Sequence, residues 1–165
     1  MRRRLRAARR FFYAAYAPED AERIAPFVDA ARDQGHLVWT DCIDAESALM
    51  DLGAALRQAR AVLVFCSARA FASRAIYKQL VLAARGHKAI LPLYLDDQLP
   101  PDQYFYYLSK HQSLRATEPD AAARFLGALE ELERGRRKWM DIEPPAAPSP
   151  VRFPQPVPAR ETAAA

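Results

Sequence analysis

The residues best placed to do chemistry stand at the ends of short apolar runs. Ala61-Val62-Leu63-Val64-Phe65-Cys66 carries no charge and ends in Ser67, and a helical pattern follows at once. Leu37-Val38-Trp39 leads into the polar loop Thr40-Asp41-Cys42-Ile43-Asp44, with Glu46 just beyond. In an open α/β sheet, ligands sit outside the carboxyl ends of the strands, so these two strand ends are the expected walls of any site. Carboxylates at such positions also serve, and more often, as helix caps or solvated charges. Asp96 and Asp97 are adjacent and have no further ligands in the pattern, which makes a poor metal site. Cys42 and Cys66 read as free thiols, since two cysteines in a chain of 165 residues make no disulfide framework. His36, His87 and His111 form no recognisable constellation with either thiol, which argues against cysteine catalysis.

The elements that must hold these residues alternate between strand and helix. Phe11 to Tyr16 is an aromatic run that suits a first buried strand ending at Ala17. Pro18 or Glu19 opens a helix with acidic residues in its first turn, running to a stop at Gly35, with Pro26 as an expected kink. Its core face is read as Ala21, Ile24, Ala25, Val28, Ala31 and Arg32. Leu37 to Trp39 is the second strand, and Ala45 to Gln58 the second helix, with Asp44 as cap. The apolar run 61–66 fits a strand covered on both faces, as parallel strands between helix layers must be. From Ala68 to Arg85, Phe71, Ala75, Ile76, Leu80, Ala83 and Ala84 trace the face of one helix, capped by Ser67 or Ser73. Phe65 and Phe71 are read as core. Ala89 to Tyr94 is a fourth strand whose Pro92 argues for an edge position or a bulge. Gln103 to Leu108 is one aromatic helical turn, and His111 to Leu114 a weak last strand. Pro119 to Arg137 is the final helix, with Ala122, Phe125, Leu126, Leu129 and Leu132 inward. Connections too long for hairpins predict right-handed βαβ units with helices on both faces of a parallel sheet.

The formal charge of +4 is misleading, because Arg2, Arg3, Arg4, Arg6, Arg9 and Arg10 supply six positive charges and the remaining residues are net −2. An arginine arm can touch nucleic acid or anionic lipid through phosphates. With no aromatic interleaving and no basic stripe read further along, nucleic-acid binding is not expected as the main function. No apolar stretch approaches the ~18 residues that span a bilayer, and a cytoplasmic location is expected. Seven of the thirteen prolines lie between Pro144 and Pro158, which reads as an extended tail. The expected division is an arm at 1–10, one domain at 11–138 and a Pro/Ala-rich tail at 139–165.

Taken in order, four pieces resemble the TIR (Toll/interleukin-1 receptor) domain family in its bacterial form. Phe12-Tyr13-Ala14-Ala15-Tyr16-Ala17-Pro18-Glu19-Asp20 is similar to the family's first box, and Gly35-His36-Leu37-Val38-Trp39-Thr40-Asp41 to its second strand and the start of its BB loop. Val62 to Ser67, with Ala70 and Ser73, resembles the third strand and following helix, and Ile90 to Asp97 the fourth strand and its acidic exit. The resemblance covers Phe11 to about Leu132. It implies a flavodoxin-like α/β fold of about five parallel strands, TIR-to-TIR assembly or pairing with a partner effector, and often cleavage or cyclisation of NAD, in bacteria commonly in antiphage defence.

The family's enzymes carry a glutamate six residues after a serine on the helix following the third strand, and six residues after Ser73 stands Gln79. Breaking the nicotinamide glycosidic bond develops oxocarbenium character on the ribose, which a carboxylate stabilises. Glutamine keeps the hydrogen bonding and loses the charge, a change worth on the order of 10²-fold to 10⁴-fold in rate. Ala15 stands where serine is usual, and the loop after Trp39 lacks the family's common glycine. The resemblance thus implies a signalling and assembly module impaired in NAD cleavage. Gln79 lies at the catalytic position, Tyr16, Trp39, Asp41, Ser67 and Ser73 are the candidate nucleotide contacts, and no cofactor is required beyond NAD as substrate or ligand. The alternative is an NAD glycohydrolase or cyclase using a displaced carboxylate, Asp41, Asp44 or Glu46. A third reading, binding of nucleic acid or membrane through the arginine arm, would show affinity that collapses with salt.

Overall fold

The computed structural model describes residues 11–40, 52–109 and 111–135. The arginine arm, the proline-rich tail and the stretch 41–51, which holds Asp41, Cys42, Asp44 and Glu46, lie outside the described residues. Five strands form one sheet in the order β2-β1-β3-β4-β5, and every neighbouring pair is parallel. They are β1 (Phe12–Ala15), β2 (Val38–Thr40), β3 (Ala61–Cys66), β4 (Ala89–Tyr94) and β5 (Leu114–Arg115). Among the described residues six helices connect and cover them: α1 (Ala21–Asp33), α2 (Leu52–Gln58), α3 (Ala68–Ala72), α4 (Arg74–Arg85), α5 (Asp102–Leu108) and α6 (Ala121–Glu133). A 3-10 turn, Pro18–Asp20, separates β1 from α1. This is the flavodoxin-like fold that the family resemblance implies, and the parallel sheet covered on both faces is what the alternation of elements predicts.

Side chains alternate across the sheet and divide the core in two. Phe12, Ala14, Leu63, Phe65, Leu91 and Leu93 pack against α1 and α6, where Phe125 meets Phe27 edge-on at 5.6 Å. Tyr13, Ala15, Val62, Val64, Cys66 and Ile90 pack on the other side, with Ile76, Leu80 and Ala83 of α4 and Tyr104 of α5. All six residues of β3 are buried, which explains its unbroken apolar run. Burial also pushes the Cys66 thiol far above its ordinary range.

Four local expectations are corrected. The helix expected from Ala68 to Arg85 is two, because Ser73 takes an extended backbone (φ −86°, ψ 118°) and its hydroxyl accepts from the Ile76 N–H at 3.3 Å, capping α4. Ser67 caps α3 in the same way through the Ala70 N–H at 3.1 Å. Pro92 lies in β4, an interior strand. Successive residues of a strand point their backbone groups to alternate neighbours; Leu95 bonds toward β3 and Tyr94 toward β5. Pro92 therefore faces β5, whose pairing begins only at Leu93, and its missing N–H costs no ladder bond. On α6 the inward residues include Ala121 and Ala128, whereas Ala122 is exposed, and on α1 Phe27 is buried while Arg32 reaches out to donate to the Val38 carbonyl at 3.0 Å. The last strand is Leu114–Arg115, and His111 precedes it.

The break at Ser73 is held from outside. Tyr104 Oη lies 3.0 Å from the Ala70 carbonyl and 2.9 Å from the Ser73 carbonyl, bridging the end of α3 and the start of α4; each carbonyl also accepts a backbone N–H, Ala70 from Ser73 at 3.0 Å and Ser73 from Tyr77 at 3.2 Å. Burial, with Cys66 and Tyr77 nearby, pushes this phenol up to about 12. An unfolded tyrosine ionises near 10, so between these values the unfolded state releases a proton that the folded state keeps, and stability falls as pH rises. Tyr104→Phe is expected to lose about 1 kcal/mol at neutral pH and to fall less steeply than wild type through the alkaline window. Urea unfolding at a series of pH values measures both.

Candidate functional site

β1 and β3 lie side by side at the centre of the sheet, and the chain winds outward from them in opposite directions. The crevice outside their carboxyl ends is where such sheets bind ligands. On the α1 side this crevice holds a polar latch. Asp20, at the end of the 3-10 turn, is 1% exposed. One of its carboxylate oxygens accepts from the Ser67 hydroxyl and the other from Arg23 Nη1 at 3.2 Å. Arg23 Nη2 donates to the Leu95 carbonyl at 2.8 Å, and Asp96 lies 3.7 Å from the same guanidinium. The latch ties together the chain leaving β1, β3 and β4, and Ser67 simultaneously caps α3. A carboxylate buried this deeply persists because every oxygen is matched by a donor and a cation stands beside it.

The residues expected to form a nucleotide site fall on both sides of the sheet. Tyr16 and Ser67 lie on the side of α1 and α6, Tyr16 within that core and Ser67 bonded to Asp20. Trp39, Ser73 and Gln79 belong to the side of α2 and α4. Trp39 is half-buried on edge strand β2, its ring 4.9 Å from Phe11. Ser73 has its hydroxyl engaged as a cap. Gln79 is 8% exposed and lies on the buried face of α4 with Ile76, Leu80 and Ala83. Tyr77, two residues earlier, packs on Tyr104 and Tyr107 of α5. Gln79 is about 200° further round the helix, which turns it to the flank that packs against α2. Asp41 lies outside the described residues.

Asp20 was legible only as an acidic first-turn residue, and its partner Ser67 is 47 positions away. The only signal that could have linked them is that both follow apolar runs at strand ends. Thr40, the last residue of β2, is fully buried, and its hydroxyl has no hydrogen-bond partner among the described residues. The acidic pair has separate duties: Asp96 faces Arg23, and Asp97 pairs with Arg115 at 3.1 Å. No group of three or more metal-ligating side chains occurs among the described residues.

A groove of about 530 Å³ lies elsewhere, at the amino end of the sheet, lined by Phe11, Arg32, His36, Leu37 and Trp39. His36 is fixed there by Glu133, whose Oε1 is 2.9 Å from Nδ1. The described lining is aromatic, aliphatic and cationic, with no carboxylate, and it stands at the opposite end of the strands from the switch point.

The sheet order agrees with the comparisons with known proteins. Residues 12–127 match the family model described as TIR domain, and the chain belongs to the TIR domain family. Among solved structures, the TIR domain of the Toll-related receptor TRR-2 from Hydra magnipapillata is similar with a TM-score of 0.62 at 17% identity, covering 74% of this chain and 97% of that one. A TIR-STING receptor from C. gigas, solved in complex with 2',3'-cGAMP, is similar with a TM-score of 0.54 at 14% identity over 72% of this chain, which spans 38% of the receptor's length. A comparison with curated proteins finds no match. These likenesses carry the fold. Among the described residues, no helix is long and apolar enough to cross a membrane.

Removing the carboxylate of the latch leaves a buried hydroxyl and a guanidinium without their acceptor. Asp20→Ala is expected to cost about 3 kcal/mol. Asp20→Asn, which keeps one acceptor oxygen, should cost less than half as much. Denaturant midpoints of the two variants, compared with wild type, give the difference directly.

Proposed function

We propose that this chain is a TIR signalling and assembly module that acts by protein–protein association, retains the capacity to hold NAD or a related nucleotide, and is strongly impaired in cleaving it. One observation carries the reading: the residue at the position of the family's catalytic glutamate, Gln79, is a neutral amide on the buried face of α4. An amide there can hydrogen-bond a ribose hydroxyl, but it cannot offset the positive charge that develops as the glycosidic bond breaks. The carboxylate of Asp20 is no substitute, being committed to Ser67 and Arg23. Family membership supports an assembly role, in a bacterial immune setting under the reading favoured here.

A second reading keeps the enzyme. Asp41, Asp44 and Glu46 lie in the stretch that joins β2 to α2, and α2 packs on the flank of α4 to which Gln79 is turned. A carboxylate from that stretch would restore the missing charge.

The two readings separate in a time course of NAD consumption, run at high protein concentration with product analysis. Under the first, wild type turns over on the order of 10²-fold to 10⁴-fold more slowly than Gln79→Glu. Under the second, wild type is active, Gln79→Glu changes little, and Asp41→Ala or Glu46→Ala abolishes turnover.

A further inference from the structure

Two helix lines on opposite sides of this sheet carry charge of opposite sign. From residue 52 to residue 95 the sequence has seven lysines and arginines and no aspartate or glutamate. Reading the sequence alone finds no basic stripe beyond the arm, but α4 carries one. Arg74, Lys78 and Arg85 are all exposed. Their spacing of four and then seven places them in one line along the helix, opposite the buried residues Ile76, Leu80 and Ala83. None has a carboxylate partner among the described residues, whereas Arg23, Arg115, Arg124 and Arg134 are each paired.

α1, on the other side of the sheet, carries the complement. Glu22, Asp29 and Asp33 are exposed and stand in one line opposite Ile24, Val28 and Ala31, at a spacing of seven and then four. None of these carboxylates has a cationic partner among the described residues. Each line also holds one non-charged residue between its charges: Val81 on α4, half-buried, and Pro26 on α1, exposed.

We propose that α4 of one copy docks antiparallel on α1 of a second copy, pairing Arg74 with Asp33, Lys78 with Asp29 and Arg85 with Glu22, and setting Val81 against Pro26. In this direction all four positions fall opposite one another at the same time. Laid parallel, the end charges still meet, but Lys78 falls on Pro26 and Asp29 on Val81, so the centre is lost. The occupant is therefore argued from charge complementarity and its register. Because α1 and α4 cover opposite faces of one sheet, the contact is head-to-tail and leaves a free α1 and a free α4 at the two ends. Such a contact propagates into an open chain of copies. Exposed ion pairs are individually weak and are screened by salt, so the association is reversible and salt-sensitive.

The inference rests on the assembly reading above, and the test separates the two. Sedimentation velocity of the full chain is run across a concentration series at about 0.05 M and about 0.5 M salt, with circular dichroism as the control for folding. Wild type is expected to associate at low salt and disperse at high salt. Lys78→Glu and Asp29→Lys should each weaken association about tenfold. An equal mixture of the two variants, or both changes in one chain, should restore it, since the reversed pair is again complementary. Association that ignores the single changes, or that both changes together fail to restore, overturns this docking and leaves the assembly reading standing. A chain that stays monomeric throughout overturns this docking and leaves the assembly reading only the pairing with a different protein. If Lys78→Glu instead abolishes binding of a short single-stranded oligonucleotide while self-association is unchanged, the stripe belongs to a polyanion and the docking is overturned.

Discussion

Five parallel strands impose one requirement on everything else: each must be carried across the sheet before the next begins, and the carriers must cover both faces. β3 shows the consequence most fully, with all six residues buried and neighbours on either side. Once both faces are closed, the strand ends are the places where polar side chains collect. Asp20, Ser67 and Arg23 meet at one such end. The latch is thus a product of the sheet's direction as much as of its own residues. It fixes where β1, β3 and β4 stop, and through Ser67 it also caps α3, which packs in the core on the α4 side.

Legibility in the sequence followed distance along the chain. β3 and β4 were bounded correctly, because an uncharged run ending in a serine or closed by aspartates is a local signal. Parallel pairing and coverage on both faces followed from alternation, whereas the flavodoxin-like fold came with the family resemblance. What failed depended on remote partners. The break at Ser73 is stabilised by Tyr104, 31 positions away, and no periodicity within 68–85 announces it. A rule about donors puts Pro92 at an edge or a bulge; the deciding fact is how far β5 extends, which nothing in 89–94 encodes. For the site, the individual residues were legible but their sides were not. Tyr16 and Trp39 both look like aromatics at strand ends, and only the register, which pairs Tyr13 with Trp39, puts them on opposite faces.

Under the reading proposed above, an amide at position 79 in place of the family's glutamate has both a cost and a gain. A solvent-facing glutamine would be a trivial replacement. On the buried face of α4 it removes the desolvation cost that an ionised carboxylate would carry there. An enzyme accepts that cost because the charge is needed in the transition state. A module that works through its surfaces gains stability from the neutral residue. Chemistry and stability therefore pull against each other at this one position.

The sheet is also blunt at both margins. Among the described residues β2 offers three and β5 two, and the missing N–H of Pro92 faces the side on which β5 could have lengthened. Short margins make poor templates for strand addition. Growth by extending the hydrogen-bond ladder, the route to cross-β fibres, is thereby discouraged in the folded state. Copies that gather can do so reversibly through helices, and a high local concentration of this domain need not become a hazard to the cell that makes it.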